Sequence, residues 1–223
     1  GQARMAARFV DTVKRRQDAA ANAVITPGYG TPSGPGARLG SADDANAANT
    51  SVMMAGGELW ALWEGGSPTA MDPVSLETRG FKALSPDMKG MPFLAHPRVQ
   101  PDGTVWNLGL AGKRAVVWNL SADGALRKAE VITLPRAGYM HDFTATERSL
   151  VIILQPWVQE GMRMPIATTM VWRPELGTKV LVLDKDDLSK RRVFELPPFF
   201  FFHLGDAWEE ADGTIRFDAC IDK

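Results

Sequence analysis

The sequence predicts an all-β fold. Short runs rich in β-branched and aromatic residues follow one another, turn signals recur between them, and three Asp-Gly pairs stand where hairpins would close. The candidate strands are 51–54, 58–63, 104–108, 115–119, 126–134, 142–145, 150–155, 169–173, 179–184, 192–195 and 214–219. Asp102-Gly103, Asp123-Gly124 and Asp212-Gly213 lie between such runs and can supply the positive φ angles of tight hairpins. This texture suits a sandwich, a barrel or a propeller, and no internal repeat chooses among them.

Before the strands comes a different segment. Met5, Phe9 and Val13 are four apart, with Arg4, Arg8 and Lys14 interspersed, which predicts a helix over 2–24. Residues 25–48 hold Pro27, Gly28, Gly30, Pro32, Gly34, Pro35, Gly36 and Gly40, too many breakers for a regular element. The expected organisation is therefore a helix-like segment and Gly/Pro-rich loop over 1–48, followed by the β region over 49–223.

Composition excludes several classes. In 223 residues, 25 Lys and Arg balance 26 Asp and Glu, for a net charge of −1. Nucleic-acid binding and anionic-membrane binding usually need a basic excess, so no nucleic-acid partner is expected. The single cysteine, Cys220, excludes an internal disulfide and fits a reducing compartment. The apolar runs at 150–154 and 197–202 are far too short to span a bilayer, and residues 1–18 lack the apolar core of a signal peptide. A cytoplasmic, globular protein is expected.

The three histidines are His96, His141 and His203. Each has apolar neighbours, and singly each reads as a satisfied core or loop residue. None belongs to a His-Glu-x-x-His pattern, and no Cys-x-x-Cys exists. Such wide spacing suits ligands offered by separate strands to a common axis. Imidazoles suit iron, copper, nickel and zinc, so residue type alone does not select a metal.

The text around the histidines narrows this. Leu59-Trp-Ala-Leu-Trp-Glu-Gly-Gly66, then Met71-Asp-Pro-Val-Ser-Leu-Glu-Thr78, resembles the opening blade of the carotenoid cleavage oxygenase family. Ala95-His-Pro-Arg-Val, Met140-His-Asp-Phe-Thr-Ala-Thr-Glu147 and Phe202-His-Leu-Gly-Asp-Ala-Trp-Glu209 resemble its first three ligand motifs, in family order. The resemblance runs from about Arg8 to Asp222. It implies part of a seven-bladed β-propeller, about three to four blades here, with Fe(II) on the axis held by His96, His141 and His203. The implied activity is dioxygenase cleavage of a conjugated C=C bond of a carotenoid or apocarotenoid, with O2 and a lipophilic polyene as partners and contact with a membrane surface to extract that substrate. The family's fourth histidine lies near the C-terminus of members about twice this length, and no histidine follows His203. The chain is therefore expected to be a piece of a longer protein, or a truncated product inactive alone.

The resemblance also assigns supporting residues. Glu64 matches a family glutamate that orients a ligand imidazole, here His141, without touching metal. Thr50 matches a threonine whose methyl crowds the sixth coordination position in many oxygenases of the family; the isomerase-like branch carries an aliphatic residue there. Trp63 stands where the stilbene-cleaving branch has a phenol-binding lysine, which favours a polyene. Asp206 replaces a common Asn, and an ionised Asp only accepts hydrogen bonds. Residues 199–202, four phenylalanines, read as a buried strand beside the axis, with a tunnel wall or membrane patch as the alternative. The competing readings are the stilbene-cleaving branch, the isomerase branch, and a non-catalytic propeller that binds without metal.

Overall fold

The computed structural model describes residues 1–161 and 165–222. Four antiparallel strands, β1 (Ser51–Ala55), β2 (Glu58–Leu62), β3 (Thr69–Met71) and β4 (Thr78–Phe81), form a first meander in chain order. A second contains β5 (Arg98–Val99), β6 (Val105–Ala111), β7 (Arg114–Leu120) and β8 (Leu126–Thr133). In the third, β9 (Thr144–Ala145) and β10 (Ser149–Leu154) lead into a two-stranded excursion, β11 (Trp157–Gln159) and β12 (Met170–Trp172). The chain then returns as β13 (Thr178–Asp184) and β14 (Arg191–Leu196) to complete the sheet. A last hairpin, β15 (Phe200–Glu209) with β16 (Ile215–Asp222), begins a fourth unit.

Strand alternation explains how these units stack. On β7, Ala115 and Val117 face one core while Val116, Trp118 and Leu120 face another. On β10, Leu150, Ile152 and Leu154 pack toward the second sheet, and Val151 and Ile153 pack toward β15 and β16. The inner sheets thus bury both faces, which is why β10 reads as an unbroken apolar run rather than an alternating one. Three cores follow in sequence, one between each pair of neighbouring sheets. These are propeller blades: three complete, and a hairpin of the next. Among the described residues the ring does not close: no core joins the first sheet to the β15–β16 hairpin.

The three Asp-Gly pairs make one kind of turn. In each, a residue pairs across the loop with the residue four on (Gln100 with Thr104, Ser121 with Ala125, Glu210 with Thr214), and the glycine N–H closes an inner turn. Only the glycines take positive φ, at 82°, 80° and 84°. The aspartates stay at negative φ, and their carboxylates accept the backbone N–H two residues on, at Thr104, Ala125 and Thr214. The turns are therefore three-residue hairpin loops with a glycine bulge.

The helix is shorter than the predicted 2–24. It is α1 (Val13–Ala21), capped by Thr12, whose Oγ1 accepts from the Arg15 N–H at 3.1 Å, and ended by Asn22 in the left-handed region. Met5 and Phe9 lie outside it at 93% and 79% exposure, so the four-residue spacing has no surface to bury against and forms no helix. β3, β4, β5 and β11 escape a reading by propensity because they are two to four residues long.

The segment before β1 is stitched to the blades. The Asp11 N–H donates to Thr78 Oγ1 at 2.9 Å, and the Ala167 N–H donates to the Tyr29 carbonyl at 3.0 Å. Asp18 anchors α1, accepting from the Ile25 and Thr26 N–H groups, the Thr26 hydroxyl and Lys14. Burial would raise its pKa, but these bonds outweigh it and hold the carboxyl at about 2, against 3.8 ordinarily. Asp18 therefore contributes stability above pH 3.8 that is lost as pH falls toward about 2. Asp18→Asn is expected to lower the melting temperature at neutral pH, with the gap from wild type closing over that acid window in a pH series of thermal melts.

Candidate metal centre

The blades bring their inner edges together at one point. His96 stands two residues ahead of β5, His141 three ahead of β9, and His203 lies within β15. The inner edges are joined by side chains rather than by ladder bonds. The Ser51 hydroxyl donates to the Ala95 carbonyl, Arg98 pairs with Asp142, and the Thr144 hydroxyl donates to the Gly205 carbonyl at 2.9 Å. At His203 the strand is irregular. Between Phe201 and Leu204, β15 advances three residues while β16 advances two, so Phe202-His203 forms a bulge that re-aims the ring.

The result is a cluster of three imidazoles. One ring nitrogen from each lies within 4.8 Å of the others, and His96 Nε2 is 2.9 Å from His141 Nε2. Nitrogens bonded to one metal at about 2.1 Å would stand ~3–4 Å apart, so the donor set fits a single divalent ion. The ring centroids are 4.6–5.0 Å apart at steep interplanar angles, with edges rather than faces meeting. Burial holds the His96 pKa below its ordinary value; Asp142 pulls it up, and the neighbouring His141 and His203 reinforce burial. A neutral imidazole is the form that binds metal.

Behind His141 sits a carboxylate. Glu64 meets His141 at Nδ1, leaving Nε2 for the cluster. Tyr139 joins them: its hydroxyl donates to Glu64 at 3.0 Å and lies 3.2 Å from His141 Nδ1. Burial, and then the Glu64 charge, push the Tyr139 phenol well above its ordinary pKa, so it stays a donor. An imidazole whose Nδ1–H is held by a carboxylate has its tautomer and ring angle fixed.

The loop carrying Glu64 is shaped by what surrounds it. A side chain at Gly65 would come within 2.7 Å of the Trp63 indole, which folds over that position. One at Gly66 would come within 2.5 Å of Asp43 Oδ1. Asp43 is buried and accepts from the Ser67 N–H and hydroxyl at 2.7 and 2.9 Å, so it fixes the far side of the loop. The Phe93 N–H donates to the Gly66 carbonyl at 3.1 Å, docking the loop on the segment that leads to His96. The two glycines after Glu64 are thus close-approach positions.

On the outer side of His141 the rings continue. Phe202 stands 5.6 Å from His141, and Tyr139, Trp157 and Phe200 follow at 5.0–6.5 Å spacings. Strand alternation divides the phenylalanine run: Phe201 is buried in the blade core, while Phe200 and Phe202 join this cluster of rings. On the other side a cleft of about 460 Å³ is lined by Ser51, Met53, His96, Pro97, His203 and Leu204.

Residues 1–222 match the family described as retinal pigment epithelial membrane protein. The chain belongs to this family. It is 27% identical to a carotenoid isomerooxygenase of Galleria mellonella over 75% of this chain and 37% of that one. It is 28% identical to an isoeugenol monooxygenase of Pseudomonas putida over 77% and 38%. A solved structure of Synechocystis apocarotenoid oxygenase superposes with a TM-score of 0.81 at 23% identity, covering 95% of this chain and 48% of that one. The fold is that of the family's seven-bladed propeller, and the chain spans less than half the length of these relatives.

Within that fold the other sequence candidates have definite places. Thr50 immediately precedes β1, as His96 and His141 precede β5 and β9; it is exposed, with its hydroxyl 3.4 Å from Asn49 Oδ1 and its N–H on the Leu62 carbonyl. Asp206 is exposed on β15. Tyr139, Arg98, Asp142 and Asp43 were not singled out from the sequence, although Arg98 and Asp142 lie inside quoted motifs and Tyr139 immediately precedes one. Gly66→Ala should cost about 1–3 kcal/mol in denaturant unfolding, whereas Gly30→Ala, which meets no atom within 4 Å, should be neutral.

Proposed function

We propose that the protein belongs to an Fe(II)-dependent dioxygenase that cleaves a conjugated C=C bond of a carotenoid or apocarotenoid, giving two carbonyl fragments. The observation that carries this reading is the convergence of His96, His141 and His203, with Glu64 behind His141. A binding scaffold would have no physical use for three converging imidazoles with a tautomer-fixing carboxylate.

His96, His141 and His203 would hold the iron through neutral ring nitrogens. Bound there, Fe(II) supplies the electron density with which O2 reacts with an alkene. Glu64 and Tyr139 keep the His141 ring oriented and its Nδ1 proton in place. Phe202, Trp157 and Phe200 present ring faces and edges next to the cluster, a surface suited to a flat conjugated chain with few hydrogen-bonding groups. Thr50, at the head of the first inner strand, would sit among the residues that crowd the metal.

A phenolic alkene is the second reading, because relatives named for both substrate classes are equally similar. Trp63, in place of the lysine of the stilbene-cleaving branch, favours the polyene: an indole offers no charge-assisted bond to a phenol oxygen.

Full-length protein reconstituted anaerobically with Fe(II) and then given O2 should cleave an apocarotenal and leave a hydroxystilbene intact; the reverse would overturn the substrate class. Removing the iron with a chelator should abolish cleavage. Glu64→Gln should weaken iron loading or activity about 10- to 100-fold, and a variant with full iron content and rate would remove Glu64 from the mechanism.

A further inference from the structure

We propose that Arg98 and Asp142 are positioning residues whose ion pair sets the spacing of the three histidines. The inference rests on the metal-site reading above. Arg98 lies two residues beyond His96, and its guanidinium crosses to the neighbouring blades. Its Nε donates to the Phe143 carbonyl at 2.6 Å, and its Nη2 donates to Asp142 Oδ1 at 2.8 Å and to the Leu204 carbonyl at 3.1 Å. Asp142 adjoins His141, and Leu204 adjoins His203. One guanidinium therefore touches the backbone beside two histidines from a strand that starts two residues after the third.

Asp142 completes the tie. Its Oδ1 also accepts the Phe143 N–H at 2.7 Å, and its Oδ2 accepts the Leu204 N–H at 2.8 Å. Both backbone groups of Leu204 are thus held by the pair. The Asp142 side chain is 3% exposed and that of Arg98 is 20%. A buried ion pair is seldom more stabilising than apolar residues of the same volume, while removing one partner is severe. What a pair of this kind provides that apolar packing does not is direction. The planar fork of arginine and the two lone-pair sets of the carboxylate fix three segments at once. The adjoining residues are the imidazoles, so a slip in any of these bonds displaces a donor nitrogen.

Two substitutions separate the parts. Arg98→Lys keeps the charge but loses the fork. Asp142→Asn can keep its oxygen toward Arg98 and Phe143, which turns its amide NH2 against the Leu204 N–H, donor against donor. The control is Glu209→Gln. Glu209 pins the far end of β15, six residues beyond His203, through Thr146 and Ser149 at 2.7 and 2.9 Å and through Arg148, and bonds none of the residues that the Arg98–Asp142 pair holds.

Co(II) titration of the full-length protein, followed by absorption and calorimetry with melting temperatures in parallel, tests the assignment. Arg98→Lys and Asp142→Asn should bind Co(II) about 10- to 100-fold more weakly, with a changed ligand-field band. Glu209→Gln should lose stability with affinity and band unchanged. Arg98→Lys, which keeps the buried charge paired, is the deciding variant should Asp142→Asn not fold. Wild-type affinity and spectrum in Arg98→Lys would overturn the proposal, as would an equal loss of affinity in Glu209→Gln. Wild-type protein that binds no Co(II) would overturn the metal-site reading and this inference together.

Discussion

A sheet that is apolar on both faces must be covered on both. The second and third blades meet this condition along β7, β10 and β13, where alternate residues enter different cores. Short antiparallel meanders covered in this way stack around an axis, and their first strands come closest to it. Everything that distinguishes the site follows from that placement. Residues at the heads of β5 and β9, and one within β15, are far apart in sequence and meet only because the blades stack. The last step is local: a bulge at Phe202-His203 re-aims one ring, and side-chain bonds between inner strands take the place of a ladder.

The all-β character was legible because hairpin chemistry is local. An Asp-Gly pair between β-prone runs needs only a few residues to declare itself, and all three such pairs close hairpins. The long strands β6, β7, β10 and β13 are visible for the same reason. The helix was misjudged because spacing without a partner surface does not make an amphipathic helix: Met5 and Phe9 stay exposed and join no apolar core. The seven-bladed architecture could not come from periodicity, since the blades share a topology and no repeated sequence. It came from motif text, which the match over residues 1–222 and the TM-score of 0.81 support.

At the site, the sequence singled out the three histidines and Glu64, which the structure brings together, and passed over Tyr139, Arg98, Asp142 and Asp43. The three histidines are the only ones in the chain, and each sits in a matched motif. Tyr139 lies two residues from His141, yet nothing local indicates that its hydroxyl meets Glu64, 75 positions away. Asp142 looks like an ordinary acid beside a histidine until its three partners, Arg98, Phe143 and Leu204, are seen together. Asp43 belongs to the Gly/Pro-rich loop, where its burial under Gly66 and Ser67 has no sequence signature. These are long-range constraints, and a motif records only their end point.

The central claim is that His96, His141 and His203 share one metal ion. X-ray absorption at the iron edge of the Fe(II)-loaded full-length protein addresses it directly. The account predicts nitrogen or oxygen neighbours at about 2.0–2.2 Å, with the outer-shell scattering of at least three imidazole rings, and the loss of one ring's scattering in His203→Ala. A spectrum with sulfur ligation, or one with imidazole scattering unchanged by substitution of any of the three histidines, would contradict it.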